Sequence, residues 1–300
     1  MPPPPPSPAR RRCLRQGLAL ALPAPAVLLA ACASTGTPAG ATPGWRAQPG
    51  QALLLGEVHD NAEQHALRTR GLAALLAAGD RPALVLEQFD LGQQAAIDAL
   101  HSPGAMPADA AAVDATTDAL VRLGGPGWHW PFYRPALRLA VAHGLPVLAA
   151  NVSRADARQV QQQGLAATGW RADVPADLLQ AQAAAVDAGH CGQLDAPTAA
   201  RLALAQVARD QAMARLVARH AHRGVVLLAG NGHVRADIGV PRWLDADLRA
   251  RTRVVGLLEA DGSVAPAAFD SVLTTRAQPR PDPCDGLRMP APPPPSPPKG

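Results

Sequence analysis

Ionisable and amide side chains stand directly after four short apolar runs of the sequence. These runs have no polar face, which is typical of buried strands, and they span residues 52–55, 83–86, 146–150 and 225–229. The residues that follow them are Glu57, His59, Glu87, Asn151 and His233. Ligands of open α/β sheets bind beyond the carboxyl ends of the strands. If the four strands are neighbours, these five side chains share one pocket.

Two carboxylates and two imidazoles in one pocket suit two kinds of chemistry. Glu57, Glu87, His59 and His233 match a zinc, manganese or iron site by ligand type. They equally suit a general base that activates water for hydrolysis. Structural roles remain open, because Glu57 and Asn151 each stand where a helix cap is also expected.

A second group of functional side chains lies in residues 128–134. Only 3% of the chain is aromatic, yet this segment holds four aromatic residues, among them the sole tyrosine, Tyr133. Together with His129 and Arg134 of the same segment, these aromatic side chains could bind a flat, anionic ligand. The alternative is a hydrophobic plug that packs the following helix.

The elements that position these residues follow an alternating pattern. Helical stretches rich in Ala, Leu and Gln separate the apolar runs and are expected at 62–78, 91–100, 134–143, 154–163, 176–188 and 198–220, with a fifth strand at 253–258. Strands without a polar face that alternate with helices predict an α/β fold. We expect a mainly parallel β-sheet flanked by helices on both faces.

The first residues carry an export signal. Arginines precede an uncharged Ala/Leu-rich stretch that is too short to span a bilayer. It ends in Leu29-Ala30-Ala31-Cys32, which resembles the lipobox of bacterial lipoprotein precursors. We therefore predict a signal peptide over 1–31 and lipidation of Cys32. A flexible tether over 32–50, a domain over 51–277 and a disordered, Pro-rich tail over 278–300 complete the predicted organisation.

Charge and cysteine usage agree with export. The signal peptide holds four arginines and no acidic residue, which accounts for the whole formal charge of +4. The mature chain is thus neutral, and nothing in it indicates a nucleic-acid partner. Cys191 and Cys284 could form a disulfide in an oxidising compartment, although their spacing does not decide this.

Taken together, these motifs resemble the ChaN family of haem-binding lipoproteins, which is related to the Tiki and erythromycin-esterase-like superfamily. The likeness covers roughly residues 50–260, and its motifs lie at 53–60, 85–89, 130–133, 147–154, 206–214 and 228–234. It implies an α/β fold and haem held between two subunits, with a tyrosine on the iron, for which Tyr133 is the candidate. His129 or a histidine of the second subunit would bond to the phenolate, while Arg134 and Arg154 would pair with the haem propionates. Asn151 is a further candidate contact.

The hypothesis is therefore a haem-binding lipoprotein that serves haem or iron uptake. It would be anchored by its lipid in the periplasm and form a homodimer. It would deliver haem to an outer-membrane uptake system. Ala33 and Ser34 after the acylated cysteine favour the outer membrane. The alternative is a metal-dependent hydrolase that uses Glu57, His59, Glu87 and His233, as the Gly-x-x-His turns of the wider superfamily imply. A scaffold with an inactive pocket is the third possibility.

Overall fold

The computed structural model describes residues 43–260, 262, 264–282 and 284–285, and these form a six-stranded parallel sheet. The strands are β1 (Ala52–Leu55), β2 (Ala83–Asp90), β3 (Val147–Asn151), β4 (Val225–Leu228), β5 (Thr252–Glu259) and β6 (Ser271–Thr275). Their order is β3-β2-β4-β1-β5-β6, and every neighbouring pair is parallel. The predicted fold class is confirmed. The four strands with polar exits are contiguous, and β6 is the strand that the sequence pattern did not predict.

Helices cover both faces of this sheet. They are α1 (Ala62–Ala77), α2 (Gln94–Leu100), α3 (Ala110–Leu123), α4 (Trp130–Ala142), α5 (Arg154–Gln163), α6 (Ala176–Gly189), α7 (Ala196–His220), α8 (Asn231–Val234) and α9 (Ala246–Ala250). In β1, Leu53 and Leu55 pack into the core under α1 and α4, whereas Leu54 packs on the opposite side with α7. Because successive strand residues point to opposite faces, burial of both faces requires the continuous apolar runs seen in the sequence.

The segment before β1 is folded onto the domain. The indole of Trp45 is buried against α1, where Gly71 leaves room for it: a Cβ on Gly71 would lie 2.3 Å from the ring. Arg46 pairs with Asp80 at 2.6 Å. Residues 43–50, which the sequence analysis assigned to a flexible tether, contact the domain in this structure through Trp45 and Arg46.

The start of the C-terminal segment is also attached to the domain. Cys284 forms a disulfide with Cys191, which answers the question that the sequence left open. Arg280 donates to Glu259 at 2.8 Å and to Asp60 at 2.7 Å. Residues 278–282 thus contact the folded domain, although their composition predicts disorder. The predicted signal peptide, Cys32 and the tail beyond residue 285 lie outside the described residues. Within the described part of the chain, no helix is both long and apolar enough to cross a membrane.

Candidate functional site

Glu57, at the end of β1, is the centre of a buried network of polar side chains. Its carboxylate is 2% exposed. One oxygen accepts from the hydroxyl of Tyr133 at 2.8 Å and from Nδ1 of His59 at 2.9 Å. The other oxygen binds Arg68 and lies 3.0 Å from Nε2 of His65. Three hydrogen-bond donors and the ring of His65, whose Nε2 is also bonded to the backbone oxygen of His59, surround the carboxylate and leave little room for an external ligand.

The network keeps Glu57 ionised. Burial alone raises the pKa of Glu57, but the guanidinium of Arg68 and the hydrogen bonds from His59 and His65 outweigh it and hold the pKa well below its usual value. The predicted site role of Glu57 is therefore indirect in this geometry. The carboxylate fixes the ring of His59 through Nδ1, which leaves Nε2 of that ring without a partner among the described residues.

Tyr133 belongs to the same buried network. Its side chain is 2% exposed and its hydroxyl donates to Glu57. Burial, together with the charge of Glu57, raises the pKa of Tyr133 far above its usual value, because a phenolate there would face a carboxylate. A tyrosine binds iron as the phenolate. This placement does not support Tyr133 as an iron ligand, and its evident role is to position Glu57.

A second carboxylate–imidazole pair lies across the crevice. Asp210, a fully buried residue of α7, binds Nδ1 of His233 at 2.7 Å and Gln182 at 2.8 Å. Nε2 of His233 lies 3.5 Å from Glu87. Burial raises the pKa of Asp210 to about 6, against the lowering effect of His233. Burial also lowers the pKa of His233, but the charges of Glu87 and Asp210 reverse this and leave it raised.

Glu87 connects the two halves of the site. Its carboxylate accepts from the backbone N–H of Gly230 at 2.7 Å. A Cβ on Gly230 would lie 2.9 Å from Cε1 of His59, so only glycine lets the loop after β4 approach this ring so closely. The structure thus brings His59, Glu87 and His233 together at the ends of β1, β2 and β4, as the sequence pattern predicted.

Three cavities meet at His59, whose side chain is half exposed. The central cavity has a volume of about 780 Å³, and its polar walls hold Glu87, Gln88, Asp90, Asn151, Arg154, Arg209 and His233. The aromatic cavity has about 450 Å³ and is lined by Trp128, His129, Phe132 and Tyr133. The apolar cavity has about 470 Å³ and lies between α6 and the end of β5. These volumes lie in the range of small-molecule sites.

Not all of the remaining predicted ligand contacts lie on a cavity. Asn151 and Arg154 line the central cavity, and His129 lines the aromatic one. Arg134 lines none of the three. Its guanidinium pairs with Asp118 at 2.7 Å and with Asp114 at 3.2 Å, both on α3. The prediction of a propionate contact at Arg134 is therefore not supported, because α4 turns this side chain away from the crevice.

The alternative metal site also lacks support. Among the described residues, no three His, Cys, Asp or Glu side chains are arranged to hold a metal ion. The geometry explains why the ligand types are insufficient. Glu57 is enclosed by its own network, which removes one of the four expected ligands.

Sequence reasoning assigned no role to three important charged residues, all on helices. Asp210 lies on the buried stripe of α7 that also contains Val207, Ala214 and Val217, and Arg68 lies on the buried stripe of α1. A charge at a buried helical position is the signal that could have found them. Arg209 offers no such signal, since it lies at the edge of the stripe.

Comparison with known proteins gives one matching family and several solved structures of similar fold. Residues 46–244 match the protein family described as haem-binding uptake, Tiki superfamily, ChaN. Among solved structures, the chain resembles ChaN of Campylobacter jejuni, solved with cofacially bound haem, at 19% identity and a TM-score of 0.56, covering 75% of this chain and 87% of that one. An erythromycin esterase in its open conformation is 13% identical with a TM-score of 0.40, covering 73% of this chain and 75% of that one. No curated protein matches the chain significantly.

Proposed function

Because the chain belongs to the ChaN family of haem-binding uptake proteins in the Tiki superfamily, we propose that it binds haem at the aromatic cavity. The single observation that carries this proposal is the composition of that cavity. Trp128 and Phe132 offer flat apolar surfaces, while His59 and His129 add imidazoles that can ligate iron. The chemistry of this donor set fits a metalloporphyrin, which needs apolar contact over its faces and a nitrogen or oxygen ligand at its centre.

His59 is the iron ligand that this geometry favours. Its Nδ1 is held by Glu57, which fixes the ring and increases the basicity of Nε2, as carboxylate partners of metal-bound histidines do. The ring also contacts Trp128 edge-on at 5.0 Å between centroids. Tyr133, by contrast, would have to leave Glu57 and lose its proton before it could bind iron. His129 is also exposed and has no carboxylate to orient it among the described residues.

Titration of haemin into the protein without its predicted signal peptide tests this assignment. We expect a shifted Soret band that persists in Tyr133→Phe and His129→Ala but is lost or changed in His59→Ala. Magnetic circular dichroism separates a nitrogen ligand from a phenolate. Retention of the native spectrum in His59→Ala together with its loss in Tyr133→Phe would refute the assignment, and no Soret shift at all would refute haem binding.

The cellular role extends this proposal. We propose lipidation at Cys32, a periplasmic location at the outer membrane and delivery of haem to an uptake system there. The disulfide between Cys191 and Cys284 supports an oxidising compartment. Metabolic labelling with a palmitate analogue, compared between the native precursor and Cys32→Ala, tests the anchor. Growth on haemin as sole iron source, with and without the gene, tests the uptake role.

A shared-haem homodimer is part of the same proposal. His59 and His129 are exposed in the aromatic cavity, so one face of a bound porphyrin stays open to a second copy of the chain. Sizing with light scattering, before and after addition of haemin, should show a doubling of mass. An unchanged mass at full haem occupancy would contradict the dimer.

Hydrolysis remains the second candidate because of one observation, the pair of Asp210 and His233. A buried carboxylate on Nδ1 leaves Nε2 of His233 to accept a proton from water near Glu87. This differs from the metal-dependent reaction expected from the sequence, since no metal is needed to activate the water. A panel of carboxylic esters tests it. Ester turnover by the native protein that is lost in His233→Ala would support hydrolysis. Equal turnover by the native protein and the variant would refute it.

A further inference from the structure

Gln88 occupies an unusual position at the end of β2. In a regular strand Glu87 and Gln88 would point to opposite faces of the sheet. The pairing of β2 with β3 is irregular between Leu86 and Asp90, where the register shifts. Such a bulge re-aims side chains. Both Glu87 and Gln88 consequently line the central cavity.

The amide of Gln88 is buried without a protein partner. The side chain is 2% exposed, and neither its Oε1 nor its Nε2 has a hydrogen bond within the described part of the chain. Nearly all buried polar groups in folded proteins are paired. An unpaired amide at the wall of a cavity is therefore a place where a bound ligand can supply the missing partner.

Two guanidinium groups on the same cavity indicate the charge of this ligand. Within the part of the chain that the structure describes, Arg209 donates to two neutral amides, those of Asn151 at 3.2 Å and Gln206 at 3.3 Å. Arg154, at the first turn of α5, has no ion pair among the described residues, and neither has Arg209.

The acidic groups on this cavity do not cancel those charges. Glu87 accepts from the backbone N–H of Gly230 and lies 3.5 Å from Nε2 of His233; among the described residues, neither it nor Asp90 forms an ion pair with an arginine of this cavity. Burial raises the pKa of Asp90, which disfavours its ionised form. The two arginines therefore keep N–H groups that no carboxylate of this cavity occupies.

We propose that Gln88, Arg209 and Arg154 form a carboxylate-binding subsite in the central cavity. The amide N–H of Gln88 and the free N–H groups of the arginines donate to the carboxylate oxygens. The carboxylate is either a propionate of a haem bound in the adjoining aromatic cavity, in which case the subsite rests on the proposed function, or that of a free small acid. The two cavities share His59, Gly127 and Trp128, so one ligand can occupy both.

Two titrations distinguish these sources. Haemin and its dimethyl ester are compared by Soret titration, and succinate is tested by thermal shift. For a propionate we expect esterification to weaken binding about tenfold or more, the range of a charge-assisted hydrogen bond. Binding of haemin should be weakened to a similar extent by Gln88→Leu, Arg154→Gln and Arg209→Gln. Binding of the ester should be unaffected. For a free acid, succinate should raise the Tm of the native protein but not of Arg209→Gln.

Controls separate recognition from folding. Arg134→Gln removes the same charge outside the cavities and should leave both titrations unchanged. Gln88→Leu removes two unpaired polar atoms, so it should raise the Tm of the ligand-free protein and weaken ligand binding. A purely structural role of Gln88 would not produce this combination. If esterification and succinate both have no effect, the subsite is refuted. If haemin gives no Soret shift, the proposed function fails, and succinate alone decides the subsite.

Discussion

Replacing Glu57 by glutamine tests the buried network on which the site is built. Glutamine keeps the shape of the side chain but removes its charge, so Arg68 is left buried without an anionic partner. The loss of one member of a buried ion pair costs about 3–5 kcal/mol. For a domain of this size, each kcal/mol shifts the Tm by about 2–4 °C, so we expect the Tm to fall by roughly 6–20 °C.

The pH dependence of the same variant gives a second, independent readout. The pKa of Glu57 is depressed in the folded protein, so its contribution to stability is fully present above the ordinary value of 4.5 and declines as the pH falls below it. Glu57→Gln lacks this contribution at every pH. The difference in free energy of unfolding between the two proteins should therefore be constant near neutral pH and should shrink in acid. Urea unfolding followed by circular dichroism at several pH values measures it.

A double variant distinguishes the loss of the ion pair from a simple loss of packing. Arg68→Met removes the partner charge, and Glu57→Gln with Arg68→Met leaves no unpaired charge behind. We expect the double variant to be more stable than the sum of the two single losses predicts, by about 1–3 kcal/mol. Additive losses, or a loss below about 1 kcal/mol for Glu57→Gln alone, would contradict the network described above.

The C-terminal attachments give two further predictions. Cys284→Ala opens a loop of 93 residues and should lower the free energy of unfolding by about 2–4 kcal/mol; a reductant should cause the same loss in the native protein and none in the variant. The hydrogen bond from Arg280 lowers the pKa of Glu259 to about 2, so the native protein should lose this stability as the pH falls from 4.5 towards 2. Arg280→Gln should flatten that acid branch of a Tm-against-pH curve, and an unchanged slope would contradict it.

Much of the crevice was predictable because it depends on local sequence and on a general property of parallel sheets. Glu57, His59, Glu87 and His233 each follow an apolar run, and the carboxyl ends of parallel strands open on one edge. Their convergence therefore needed only the assumption that the strands are neighbours. The roles of these side chains were not predictable in the same way. Glu57 became the centre of an internal network, since Arg68 reaches it from α1 and Tyr133 from α4.

The sequence by itself determined the α/β class, the strand exits that carry polar groups and the aromatic segment, because apolar periodicity and turn residues act over a few positions. Tertiary structure alone decided which carboxylate pairs with which imidazole, that Asp210 supports His233, that Arg134 lies outside the crevice, and that Trp45 and Cys284 attach the ends of the domain. Such pairings join residues far apart in the chain, and a hydrogen bond or an ion pair depends on distances of a few ångströms that no local pattern encodes.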